Sequence, residues 1–128
     1  RGVQSVRLLR GLRLVTLMRL ERRSNAVSRV GLVMDRKKNE LGATVFVAFL
    51  LIVVASSSMY FMENEAQPDK FSSIPGSMWW AVTALTTIGY GDMYPITDAG
   101  KTVACVVAAM GVGIFALPAG ILGSGFVE

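Results

Sequence analysis

Two long, predominantly apolar stretches of this chain carry no charged residue, residues 41–62 and residues 102–127, and this pair constrains the fold more than any other feature. As a helix rising about 1.5 Å per residue, each run crosses a hydrocarbon layer of about 30 Å. Residues 45–54, in the middle of the first run, are all Val, Phe, Ala, Leu or Ile. A polar segment precedes that run, which argues against a cleaved leader. The second run is rich in Gly and Ala, which let helices approach closely in lipid. Gly111 and Gly113 lie near its middle, and Pro118 is expected to bend it by removing a backbone donor. We therefore expect an outer helix over 40–63 and an inner helix over 98–127, both crossing a membrane.

Between the runs, residues 64–74 are polar and turn-like, with Pro68 and Ser72-Ser73. Residues 75–86 then read as a short helix with Pro75 in its first turn. That helix carries Met78, Trp79, Trp80, Val82 and Leu85, and it leads straight into the glycine-containing segment 87–92. It is too short to span. Irregular backbone at membrane depth is tolerated only where it lines protein or water. The expected fold class is an all-α membrane protein, with two transmembrane helices flanking a re-entrant helix and loop.

The charge is polarised. Residues 1–38 hold eleven of the thirteen Lys and Arg against Glu21 and Asp35, whereas residues 39–128 hold two bases and seven acids. A basic segment directly before an apolar span points to the lipid bilayer as partner rather than to nucleic acid. Residues 24–38, capped by Ser24, form a candidate amphipathic helix on the membrane surface, with Val27, Val30 and Met34 on one face. The positive charge places this helix and both chain ends on the cytoplasmic side of the cell membrane.

Histidine is absent and Cys105 is the only cysteine. Disulfides within the chain, histidine-based triads and most zinc sites are excluded, and no nucleophile–base set stands out for an enzyme. No cofactor is expected. Cys105 lies among Val and Ala and reads as a small apolar residue.

The segment Thr87-Ile88-Gly89-Tyr90-Gly91-Asp92 has a special spacing. An ordinary strand turns its carbonyls alternately to opposite sides. Aiming successive carbonyls at one axis needs dihedrals that glycine adopts easily, and Gly89 and Gly91 alternate with Ile88 and Tyr90. Thr87 can add a side-chain oxygen. The carboxyl end of the short helix leads into Thr86 and Thr87 and turns its negative dipole end toward them. Asp92, Asp98, Glu63, Glu65 and Asp69 are expected to make the outer side negative. One chain supplies one side of a ring, so closure requires several copies.

Residues 78–92, Met-Trp-Trp-Ala-Val-Thr-Ala-Leu-Thr-Thr-Ile-Gly-Tyr-Gly-Asp, resemble the pore loop of voltage-gated potassium channels, which usually have Val where this chain has Ile88. The resemblance implies a homotetramer that passes K+ passively. Thr87, Ile88, Gly89, Tyr90 and Gly91 would supply the ion-binding oxygens, since rings of backbone carbonyls are an established basis of K+ selectivity with a near-identical loop as the known case. It further implies that Asp92 marks the outer mouth, that Thr86, Trp79 and Trp80 support the filter, and that Trp80 braces Tyr90. Lipid-interface anchoring by the tryptophans is a compatible alternative.

Residues 115–126, Phe-Ala-Leu-Pro-Ala-Gly-Ile-Leu-Gly-Ser-Gly-Phe, resemble the inner helix of KCNQ-type channels. Other voltage-gated channels usually carry Pro-x-Pro there, whereas Pro118 is followed by Ala119-Gly120, so a gentler bend is expected. Gly111 matches the family's hinge glycine, with close helix packing as the alternative. Phe115, Ala119, Leu122 and Phe126 share a face that would line the inner cavity, and Phe126 is the candidate hydrophobic gate. Glu40-Leu41-Gly42 resembles the junction between linker and first pore span.

Arg1, Gln4, Arg7, Arg10, Arg13, Thr16, Arg19 and Arg22 recur at every third position. The pattern resembles the end of a voltage-sensor helix, with Arg7, Arg10 and Arg13 as its clearest charges. The alternative is a basic helix bound to anionic headgroups. An arginine costs about 3 kcal/mol at the centre of a lipid-exposed helix, and no acid lies within either apolar run to pair with it. The chain, which begins at Arg1, is expected to be a piece of a longer channel. Residues 1–23 are then a sensor remnant, 24–38 a linker and 39–128 a pore domain. A leak or ligand-gated potassium channel is the nearest alternative. A potassium transporter subunit is a further one, although transporters join several repeats and this chain has one.

Overall fold

The computed structural model describes residues 2–21 and 25–128. Four helices follow in order: α1 (Gly2–Glu21), α2 (Asn25–Glu63), α3 (Ile74–Leu85) and α4 (Asp98–Val127). The chain is all-helical among the described residues. Two of its helices, α2 and α4, are long and apolar enough to cross a membrane. Arg1 and Arg22 of the arginine pattern, and the expected cap Ser24, lie outside the described residues.

The expected division between a surface helix over 24–38 and an outer helix over 40–63 is not observed. α2 runs without a break for 39 residues. The junction contains no proline, and Gly42 alone is too weak a breaker to end a helix at about 1 kcal/mol. Pairs one turn apart support it: Lys38 Nζ to Asp35 Oδ1 at 3.2 Å and Lys37 Nζ to Glu40 Oε1 at 3.3 Å.

Both shorter-range starts are capped. Ser73 is extended, and its Oγ accepts from the Gly76 amide at 3.0 Å to open α3, with proline in the first turn. Thr97 does the same for α4 through the Gly100 amide at 3.0 Å, and Asp98 in the first turn suits the positive helix end. α4 continues through Pro118 as one helix.

α2 and α4 lie antiparallel. Gly100 at the start of α4 meets Glu63 at the end of α2, and Gly125 near the end of α4 meets Val33 and Lys37 early in α2. Lys37 Nζ also lies 3.7 Å from Glu128 Oε1. α3 wedges between them. The core forms at that junction from Ala55, Met59, Phe71, Trp80, Ala81, Leu85 and Val107. Phe71 meets Trp80 edge-on, with ring centroids 6.4 Å apart. Away from this junction most of the apolar surface of α2 and α4 is exposed, including Phe46, Phe49, Val112 and Leu117.

Candidate functional site

The site is the segment that leaves α3. Thr86 caps the helix: its amide bonds to the Val82 carbonyl at 2.9 Å and its hydroxyl donates to the same oxygen at 2.7 Å. Thr86 thus supports the helix end locally. The chain then folds back on the last turn, and the amides of Ile88 and Gly89 both donate to the Thr83 carbonyl, at 3.0 and 3.1 Å. Beyond this point φ is positive at Thr87 (60°), Gly89 (58°) and Gly91 (76°), and at no other described residue. This is the alternate-residue pattern that the glycine spacing called for. The third member, Thr87, had no signal in the sequence. A β-branched residue in this region costs about 1–3 kcal/mol and persists only where its surroundings hold it, here through the forked bonds to Thr83. Thr87, Ile88, Gly89, Tyr90 and Gly91 are all exposed.

Trp79 holds the far end of the segment. Its ring stacks on Tyr90 with centroids 5.6 Å apart and planes within 4°, and its Nε1 donates to Asp92 Oδ2 at 2.7 Å. The other oxygen, Asp92 Oδ1, accepts from the Met93 amide at 3.0 Å. The expectation that Trp80 braces Tyr90 is corrected within the chain. Consecutive helical residues diverge by about 100°, so one tryptophan faces Tyr90 and the other faces away. Trp80 is 5% exposed and packs on Phe71 in the core.

Glu63 is also corrected. It was expected among the acids of the outer side, yet it is fully buried. Its Oε1 accepts from the Thr97 amide at 3.0 Å and the Thr97 hydroxyl at 2.6 Å, and its Oε2 from the Ile96 amide at 3.0 Å and Gln67 Nε2 at 2.8 Å. A buried carboxylate is costly unless its lone pairs are satisfied in this way. Glu63 therefore ties the end of α2 to the strand of chain that enters α4. Asp92, Asp98, Glu65 and Asp69 stay exposed. Sequence reasoning missed Glu63, Gln67, Thr97 and Gly100 as a unit. The one available signal was an acid at the end of an apolar run.

Gly111 is buried where α4 crosses the end of α3. A Cβ there would lie 2.7 Å from the Leu85 carbonyl oxygen. Phe115 and Ala119 are exposed, while Pro118 and Leu122 are half-buried. Phe126 is exposed and borders a cavity of about 150 Å³ with Arg29, Leu32, Val33, Arg36 and Gly125. Arg7, Arg10 and Arg13 are exposed on α1 and are not drawn to the segment 87–92.

The profile of the ion transport protein family matches residues 1–128. The chain is 48% identical over 96 residues to a cyclic nucleotide-gated potassium channel of Rhizobium etli, covering 75% of this chain and 27% of that protein. It is 42% identical over 105 residues to mouse potassium voltage-gated channel subfamily A member 5, covering 82% and 17%. It is 40% identical over 105 residues to human subfamily A member 6, covering 82% and 20%. The chain thus spans less than a third of the length of each of these relatives. The resemblance to voltage-gated potassium channels read from residues 78–92 is borne out. The chain belongs to the ion transport protein family, and the relatives named here are potassium channels of voltage-gated and cyclic nucleotide-gated kinds.

Proposed function

We propose that four copies of this chain form a K+-selective pore in the cell membrane, through which K+ passes down its gradient. The observation that carries the reading is the positive φ at Thr87, Gly89 and Gly91, alternating with Ile88 and Tyr90 in a segment pinned at both ends. Such alternation lets successive carbonyls face one axis and take the place of water around a dehydrated ion. α3 is then the re-entrant pore helix, residues 87–91 the filter, Asp92 the outer mouth, and α4 the inner helix. Both chain ends are cytoplasmic in this reading, and Phe126 is the gate. The exposed aliphatic surface of α2 and α4 fits lipid and neighbouring copies.

Reconstitution into lipid vesicles tests the reading. K+ efflux is expected at channel rates, with Na+ largely excluded, and Gly89→Ala is expected to abolish it. Equal K+ and Na+ permeation, or turnover at the slow rate of a carrier, would overturn it.

The arginine pattern over α1 favours descent from a voltage-gated channel, while similarity to a cyclic nucleotide-gated relative leaves a ligand-gated pore as the second reading. In either case this stretch alone is expected to gate weakly with voltage, because its apolar runs 41–62 and 102–127 contain no acid to pair with Arg7, Arg10 and Arg13. A gating charge of several units in single-channel recordings of the chain would sink that expectation.

A further inference from the structure

We propose that Gln67 is a positioning residue for the outer end of the conduction path, through its amide, which holds the Tyr94 carbonyl against Glu63. The idea rests on the reading of residues 87–91 as a filter. Gln67 Nε2 lies 2.8 Å from Glu63 Oε2 and 2.8 Å from the Tyr94 carbonyl oxygen. A side-chain amide nitrogen has two hydrogens, and this one spends both. Methionine, leucine or a carboxylate at this position cannot make the bridge.

The backbone of Gln67 is fixed for the task. Its amide donates to the Glu63 carbonyl at 2.8 Å, and its carbonyl accepts from the amides of Lys70 and Phe71 at 3.2 and 3.1 Å. Asn64 Nδ2 closes the same turn by donating to the Phe71 carbonyl at 2.8 Å, and the Phe71 ring is sunk in the core. The turn also reaches the other side of Tyr94: Lys70 Nζ stands 5.1 Å from the centre of its ring. Tyr94 is therefore gripped through both its main chain and its ring.

The tether completes a series along the chain that leaves the filter. Trp79 holds Asp92, Gln67 holds Tyr94, and Glu63 holds Ile96 and Thr97. Of these, only the Gln67 bond comes from the outer turn. Pro95 has no amide of its own to offer, and the Tyr94 carbonyl fixes the stretch between Asp92 and Ile96. Without Gln67 the Tyr94 carbonyl loses its partner and Glu63 loses one of its donors. The outer end of the filter is then free to rearrange while ions pass.

Two variants separate positioning from mere packing. Gln67→Met keeps the length of the side chain and removes both donors. Gln67→Glu removes them when ionised and sets a second negative charge beside Glu63. When protonated it regains one O–H donor. The other titratable groups facing the position are Lys70 and the Tyr94 hydroxyl, with Glu65 and Asp69 exposed in the same turn.

The experiment records K+ current through the reconstituted chain during sustained opening. It also measures amide hydrogen exchange at Ile96 and Thr97, a readout that needs no conduction. Gln67→Met is expected to speed current decay and exchange by about ten- to a hundredfold, the range for one hydrogen bond to a charged acceptor. Gln67→Glu is expected to match it at neutral external pH and to recover toward wild type near about pH 5, where a glutamate begins to protonate. Unchanged exchange in Gln67→Met, or a Gln67→Glu defect indifferent to pH, overturns the proposal. Absence of wild-type K+ current overturns the filter reading instead, and the exchange measurement still decides the tether.

Discussion

Gly100 lies so close to Glu63 that any side chain at position 100 would overlap the carboxylate oxygen Oε1, and it would also meet Pro95 Cβ at 2.9 Å. The glycine lets the first turn of α4 slide against the end of α2. The Glu63 carboxylate can then reach the Thr97 amide and hydroxyl from below that turn. Two helices and the chain that leaves the proposed filter are joined at this single contact.

Gly100→Ala should therefore displace the carboxylate rather than merely crowd it. Overpacking of this kind costs about 1–3 kcal/mol. Thermal unfolding of the purified protein in detergent is expected to show the loss. Wild-type stability in Gly100→Ala would mean that Glu63 can move without penalty.

Trp79→Phe keeps a ring to stack on Tyr90 but removes the Nε1 donor to Asp92. A hydrogen bond to a charged group contributes about 1.5–3 kcal/mol. Faster loss of K+ current during sustained opening is expected from Trp79→Phe and from Asp92→Asn. The double variant should be no worse than Trp79→Phe alone, because Asp92→Asn then only neutralises an acceptor that has already lost its donor. Additive effects would place the two residues in separate roles.

Gly111 and Gly113 offer a paired test of packing against flexibility. A Cβ at 111 would press on the Leu85 carbonyl, whereas a Cβ at 113 meets nothing within 4 Å. Gly111→Ala is expected to destabilise the α3–α4 contact by about 1–3 kcal/mol. Gly113→Ala is expected to be neutral or stabilising by up to about 1 kcal/mol, from reduced backbone freedom. Equal damage from both, measured by thermal unfolding and open probability, would favour a hinge over packing.

Gly125 and Val33 test the link between the cytoplasmic ends of α4 and α2 in the proposed orientation. A methyl group at 125 would come within 2.5 Å of Val33 Cγ1, and Val33 is buried. Gly125→Ala is expected to weaken this contact, and adding Val33→Ala should recover part of the loss. The coupling between the two substitutions is expected to reach about 0.5–3 kcal/mol in a double-mutant cycle read by thermal unfolding. A coupling near zero would mean that the ends move independently.

Several features were legible from the residues because their causes are local. An uncharged run of helical length is a property of consecutive side chains, and so is a Ser or Thr followed by helix formers. Gly89 and Gly91 announced left-handed backbone because glycine is the residue that takes it easily. The positive φ at Thr87 was not legible. It arises because the Thr83 carbonyl, one helical turn back, captures two successive amides and turns the chain at a residue with no preference for that turn.

The sequence by itself determined the helical class of the chain, its two apolar helices of membrane-crossing length, and the family shown by residues 78–92. All three follow from patterns along the chain. Tertiary structure decided which tryptophan stacks on Tyr90, and it placed Glu63 in the interior rather than at the mouth. It also made Gly100 and Gly111 points of close approach. The physical reason is common to the placements of Trp79, Glu63, Gly100 and Gly111. Each depends on what stands opposite a residue when helices from distant parts of the chain meet, and a hydrogen-bond partner 33 residues away leaves no mark on local composition.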